Sequence, residues 1–217
     1  MLKTHPPAEQ SFLFDGVDWE FYQFLLNRYR DRRVFVTYDR GNLEIMSPSR
    51  KQERFKKFLA RLIEALTEEL NIPVSSGGSE TFRRADLDRG LEPDECYWIA
   101  HEAQALGEKD TDLPQDPPPD LVIEIEISRR LLDRQSIYAA LGVPELWRYD
   151  GTTFTVLRLE KDGHYAAVDR SPSFPMLPLD EVRQLLTRRA TEAETALIRE
   201  FRSWVRRSLA APGESRP

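Results

Sequence analysis

The run from Asp120 to Ser128, Asp-Leu-Val-Ile-Glu-Ile-Glu-Ile-Ser, sets carboxylates into an otherwise apolar segment. Read with a two-residue period, Leu121, Ile123, Ile125 and Ile127 form one face, which must turn to a core. The other face carries Asp120, Val122, Glu124, Glu126 and Ser128. Carboxylates two residues apart on a strand stand about 7 Å from one another. Such acids repel, and one tends to keep its proton unless a cation lies between them. A hard divalent ion such as Mg²⁺ suits oxygen donors of this kind. A solvent-facing strand whose acids only solubilise the sheet would show the same pattern, and this segment alone does not separate the two readings.

Three further positions bear on the choice. Asp94 follows Pro93 at the mouth of the preceding strand, and would approach Glu124 if the two strands pair; a turn residue would also suit Pro-Asp. Arg134 lies one turn before Tyr138 on the helix after Ser128, so its charge could point back over the acids. Glu53, in the first turn of a long basic helix, could add a carboxylate or simply favour the helix dipole. Around it, Arg50, Lys51, Arg54, Lys56, Lys57 and Arg61 face one acid between Ser49 and Arg61. Arg50, Lys51, Arg54 and Lys57 are the candidate nucleic-acid contacts, against the plain alternative of a solvated helix face.

These residues need a scaffold, and the sequence sketches one. A helix is expected over 18–30, with Trp19, Phe21, Tyr22, Leu25, Leu26 and Tyr29 on a 3.6-residue period. A hairpin follows, Val34–Tyr38 and Leu43–Met46 about Asp39-Arg40-Gly41-Asn42. The long helix spans 51–70, and 73–84 is extended with a bend at Gly77-Gly78. Strands are expected at 96–99 and 120–128, a loop over 101–119, and a helix over 131–141 stopped by Gly142. A meander of 146–149, 153–159 and 164–168 and helices over 179–188 and 192–209 complete the chain. The fold class is α/β: a central mixed sheet flanked by helices, with an N-terminal helix plus hairpin and a C-terminal β-meander plus helices. Residues 1–209 are expected to form one domain and 210–217 a disordered tail.

Composition narrows the classes. The 217 residues are 40% hydrophobic and 31% charged, which excludes a disordered chain. No apolar run nears the ~20 residues of a membrane helix, and the first residues lack a secretory signal. Cys96 is the one cysteine, so no internal disulfide or cysteine-based zinc site can form. The cytoplasm is the expected compartment. A net charge of -6 argues against a protein that coats nucleic acid, unless its charges are segregated as the 49–61 stretch suggests. His5, His101 and His164 sit in no nucleophile motif, which disfavours Ser-His-Asp chemistry.

Met46-Ser47-Pro48-Ser49 with Gln52-Glu53-Arg54, then Gly90-Leu91-Glu92-Pro93-Asp94-Glu95-Cys96-Tyr97, then Pro119 to Ser128 continuing through Asp133-Arg134 to Tyr138–Trp147, resemble three stretches of the Uma-type family of restriction endonucleases. The resemblance spans roughly residues 10 to 185, within the PD-(D/E)XK nuclease superfamily. It implies a restriction-endonuclease-like core and a metal-dependent endonuclease that hydrolyses phosphodiester bonds in DNA. It casts Asp94 as the acid of the Pro-Asp motif and Glu124 and Glu126 as the Glu-x-Glu strand, with Asp94 and Glu124 holding Mg²⁺ or Mn²⁺. Arg134 takes the place of a migrated lysine; Glu53, offered by its own place on the basic helix, is the further catalytic candidate. No organic cofactor and no membrane partner are implied. Homodimerisation is a further expectation, with the C-terminal strands and helix as its apolar surface.

The chain departs from that pattern where Glu126 replaces a frequent lysine, where the helix cation is Arg134, and where Gln52 stands in place of histidine. Arginine stabilises anionic charge but accepts no proton. A catalytically degenerate nuclease fold used for binding or regulation is therefore the alternative. A small-molecule enzyme built on the same acids would require a deep apolar pocket.

Overall fold

The computed structural model of the chain describes residues 10–28, 34–105, 111, 113, 115–128 and 130–209. Their strands form two sheets. The first orders five antiparallel strands as β1 (Gln10–Phe14), β3 (Asn42–Ser47), β2 (Phe35–Asp39), β6 (Arg89–Leu91) and β5 (Phe82–Arg84). The β2–β3 hairpin closes through Arg40 and Gly41, both at positive φ, as a two-residue turn requires.

The second sheet is mixed: β11 (Tyr165–Val168), β10 (Phe154–Leu159), β9 (Glu145–Tyr149), β8 (Leu121–Ile125), β7 (Glu95–Trp98) and β4 (Ser75–Ser76). Only β8 and β9 run parallel, joined across the sheet by helix α3 (Arg134–Leu141). Gly142 ends α3 at φ 80°, the left-handed stop expected of a glycine after the last turn.

Helix α2 (Arg50–Leu70) begins where Ser49 Oγ accepts the Gln52 N–H, and ends at Asn71 in the left-handed region. Its apolar face, Phe55, Phe58, Leu59, Leu62, Ile63 and Leu66, packs on Leu121, Ile123 and Ile125 of β8. Helices α4 (Leu179–Arg188) and α5 (Glu194–Ser208) add to the same core, α5 through Leu197, Ile198, Phe201 and Val205. On the other face of the sheet, Ile137, Tyr138 and Leu141 of α3 cover Val122 and Leu146. The architecture is the helix-flanked mixed sheet of a restriction-endonuclease-like core.

Four expectations change. The strand read over 120–128 is shorter, and all five residues of β8 are buried. Its polar face does not meet solvent, because α3 roofs it. The helix read from residue 131 starts at Arg134, with Asp133 as its cap. Strands β1 and β6 were not anticipated. Finally, α5 spends its apolar residues on α2, and among the described residues the large exposed apolar side chains are Phe12, Leu13 and Phe14 on β1, Phe21 and Phe24 on helix α1 (Trp19–Arg28), and Leu131 and Met176 outside the helices and strands. The expected tail at 210–217, and the last two residues of the expected first helix, lie outside the described residues. Among the described residues, no helix is long and apolar enough to cross a membrane.

The first sheet has two working faces. Val36, Tyr38, Leu43 and Ile45 cluster under α1 with Tyr22 and Leu26. Thr37 and Glu44, cross-strand partners of opposite alternation, turn the other way, toward the mixed sheet. Gly90 of β6 permits the first packing: a Cβ there would stand 2.9 Å from both Cε1 and Cζ of the fully buried Tyr22. Gly90→Ala is expected to cost about 1–3 kcal/mol by overpacking, read as a lower denaturation midpoint at unchanged slope.

Candidate active site

The β7–β8 register sets Glu95 opposite Ile123 and Cys96 opposite Val122. Carried one residue further, it brings Asp94 beside Glu124. Both are buried, at 1% and 3% exposure. Asp94 Oδ2 accepts the Ile125 backbone N–H at 2.7 Å, and Oδ1 accepts the Gln52 side-chain amide at 2.9 Å. Gln52 reaches it from the first turn of α2, and its Oε1 is buried without a partner. Burial, then the neighbouring Glu124 charge, push Asp94 up to about 7 against the pull of Arg130, the Ile125 N–H and Arg134.

Glu124 is held by Arg134. The guanidinium donates from Nε to Oε2 at 3.1 Å and from Nη2 to Oε1 at 2.6 Å, and the Tyr138 hydroxyl donates to Oε1. Arg134 also donates to Thr37 Oγ1 of β2 and to the Glu92 carbonyl at 2.6 Å. Burial, the largest single influence, works against its charge, yet Glu124, Tyr138 and Asp94 together outweigh it and hold the group firmly protonated. Burial likewise raises Tyr138 well above the ordinary range, so its hydroxyl stays a donor. Arg134 thus points back over the acids, as its place one turn before Tyr138 suggested, and is no surface charge. It is 3% exposed, and its donors are committed to orienting Glu124 and tying β2 to α3.

A second cation completes the cluster. Arg130 Nη2 lies 4.0 Å from Asp94 Oδ2 and 3.8 Å from Glu124 Oε2. Its loop is anchored from the first sheet, where the buried Glu44 accepts the N–H groups of Leu131 and Leu132 at 3.1 and 3.3 Å.

The remaining expected residues lie apart. Glu126 falls beyond the end of β8 and accepts from Arg148 Nε at 2.6 Å. Glu53 is half-buried, and its charge bears on Glu95. Arg50, Lys51, Arg54 and Lys57 are exposed on α2, in the turns that also deliver Gln52 to Asp94. The contributions of Gln52, Arg130, Glu44 and Thr37 were missed. Arg130 left one trace, a basic residue directly after the acidic strand; Glu44 and Thr37 left none, since they act across sheets.

Among the described residues, no three His, Cys, Asp or Glu side chains gather into a metal cluster. What converges is two carboxylates and one amide oxygen without a partner. That all-oxygen set fits an ion such as Mg²⁺, which keeps several waters and takes one or two carboxylates.

Mixed sheet, flanking helices and the buried Asp94–Glu124 pair together define a restriction-endonuclease-like protein. The chain belongs to the Uma2 family, described as "Putative restriction endonuclease", whose model matches residues 19–191. It is similar in fold to a solved structure described as "a putative nuclease belonging to DUF820 from Anabaena variabilis", with a TM-score of 0.51 and 16% identity over 70% of this chain and 90% of that one. No curated protein matches it significantly.

Proposed function

We propose that this chain is a divalent-metal-dependent endonuclease that hydrolyses phosphodiester bonds in DNA. One observation carries the reading: two buried carboxylates, Glu124 on β8 and Asp94 at the mouth of β7, converge on a single cation position, marked by the Arg130 nitrogen within 4.0 Å of both. Buried acids are not set side by side for stability, since each raises the cost of ionising the other. Asp94 and Glu124 would hold Mg²⁺ or Mn²⁺, with the Gln52 amide oxygen beside them. When bound, the ion lowers the pKa of a water and neutralises charge on the scissile phosphate. The chain's own residues supply the rest. Arg134 and Tyr138 fix the Glu124 carboxylate, and the Ile125 N–H fixes that of Asp94. Arg50, Lys51 and Arg54 have no acidic partner among the described residues and would contact phosphates along the strand, as would Lys57. The site would work in the cytoplasm without an organic cofactor, and a homodimer would place two such sites on one duplex.

The test is cleavage of plasmid and linear duplex DNA in Mg²⁺ or Mn²⁺, with a chelator control. Asp94→Asn and Glu124→Gln are each expected to lower the rate at least about a hundredfold, with circular dichroism unchanged. Persistent cleavage by both variants would sink the proposal.

One observation favours a second reading, a degenerate nuclease fold used for binding. The cation on α3 is an arginine with its donors spent, so it is unavailable as a proton acceptor. That reading predicts retained DNA binding with no metal-dependent cleavage and no calorimetric signal for Mn²⁺.

A further inference from the structure

Arg130 and Arg134 face the same two acids but are held very differently. Arg134 is locked by hydrogen bonds to Glu124, Thr37, Glu92 and Tyr138. Arg130 is also withdrawn from solvent, its side chain 7% exposed, yet its contacts with Asp94 and Glu124 are 4.0 and 3.8 Å, too long for hydrogen bonds. Its Nε is buried with no partner at all. The Arg130 guanidinium is therefore held at the acids by charge rather than by hydrogen bonds, and charge is what an incoming divalent ion replaces.

Its position completes the argument. One Arg130 nitrogen is almost equidistant from the two carboxylates, at the point where a shared ion would neutralise both. The loop is pinned two ways, by Glu44 at Leu131 and Leu132 and by the start of α3, so the side chain can swing without unfolding its backbone.

We infer that Arg130 is a displaceable counter-ion: it neutralises the Asp94–Glu124 pair in the metal-free protein, and a divalent ion must expel it to bind. The inference rests on the metal site proposed above and adds a competition that this site alone does not require. Two positive charges cannot share so small a space, because like charges a few ångströms apart in a buried setting repel strongly. The expelled guanidinium, still tethered at the cleft, then faces whatever phosphate lies there.

The experiment is calorimetric titration of the full chain with Mn²⁺ alone, for wild type, Arg130→Gln and Arg130→Lys, with folding checked by circular dichroism. Arg130→Gln is expected to bind Mn²⁺ about tenfold tighter or more, because the competing charge is gone. Arg130→Lys keeps the charge and is expected to stay near wild type, which separates charge from side-chain bulk. Binding by Arg130→Gln where wild type shows none would also support the inference. Equal or weaker binding by Arg130→Gln would overturn it while leaving the metal site intact. Absence of binding in all three would overturn both. Should Arg130→Gln fold poorly, Arg130→Met, which keeps the stem and removes the charge, takes its place under the same criteria.

Discussion

Arg134→Met is expected to lower the stability of the metal-free protein by about 3–5 kcal/mol, the cost of leaving a buried carboxylate without its cation. Glu124 would keep Tyr138 as a donor and Arg130 at long range, neither of which replaces a two-point guanidinium clamp. The loss extends beyond one pair. Arg134 also holds Thr37 of the first sheet and the carbonyl of Glu92, two residues before Asp94, so its removal loosens the seam between sheets. Urea unfolding gives the value. The double variant Arg134→Met with Glu124→Gln should recover part of it, since the stranded charge is gone. Arg148→Met supplies the contrast. Its partner Glu126 lies at a partly exposed surface, and such pairs contribute at most about 1 kcal/mol. A cost for Arg134→Met no greater than that of Arg148→Met would show that Glu124 is not held as described.

Asp94 should leave its mark on stability against pH. Its folded-state value of about 7 stands above the ordinary 3.8, so between those values the folded chain binds a proton that the unfolded chain has released. Stability from this group is therefore greatest in acid, falls as pH rises from about 4 to 7, and is fully lost above that. A shift of this size corresponds to a swing on the order of 4 kcal/mol. Glu95 is also raised, mainly by its burial, and contributes in the same direction. The measurement is thus a difference, unfolding free energy of wild type minus Asp94→Asn in chelator from pH 4 to 8. That difference should decline across the range, with Asp94→Asn the more stable protein at pH 8. A flat difference would mean that Asp94 is ionised throughout.

How much of this was legible in the sequence follows from the range of each interaction. Period-two alternation reports one strand and its two faces, so the apolar side of β8 was readable from Leu121, Ile123 and Ile125. It cannot report what covers the second face, so the strand alone left a solvent-facing Glu124 and an ion-holding one both open, where Tyr138 and Arg134 in fact bury it. The β2–β3 hairpin and α2 were readable because turn chemistry and caps are local. Strand β6 was not, because three residues, one of them Gly90, carry too little pattern. Asp94 was placed by its motif and by a register that needs only the next strand. Arg130 and Glu44 belong to a loop and a distant hairpin, and no spacing within the chain relates Glu44 to Leu131. That Arg134 points back over the acids was legible from its helix position, but its further partners Thr37 and Glu92 were not, since they come from far earlier in the chain.

Helix α5 gives the fold one more property. The stretch shared with the family closes at residue 191, ahead of Glu194–Ser208. Yet α5 covers the rear of α2 with Leu197, Ile198, Phe201 and Val205, while Arg202 and Arg206 clasp Glu69, and Glu194 takes hold of Arg61. That same rod delivers Gln52 to Asp94 at its opposite end. The stretch that matches the family and the set of helices packed on α2 are therefore different lengths of chain. A piece cut to the family's borders would keep every acid of the cleft and lose the brace that keeps α2 seated behind them.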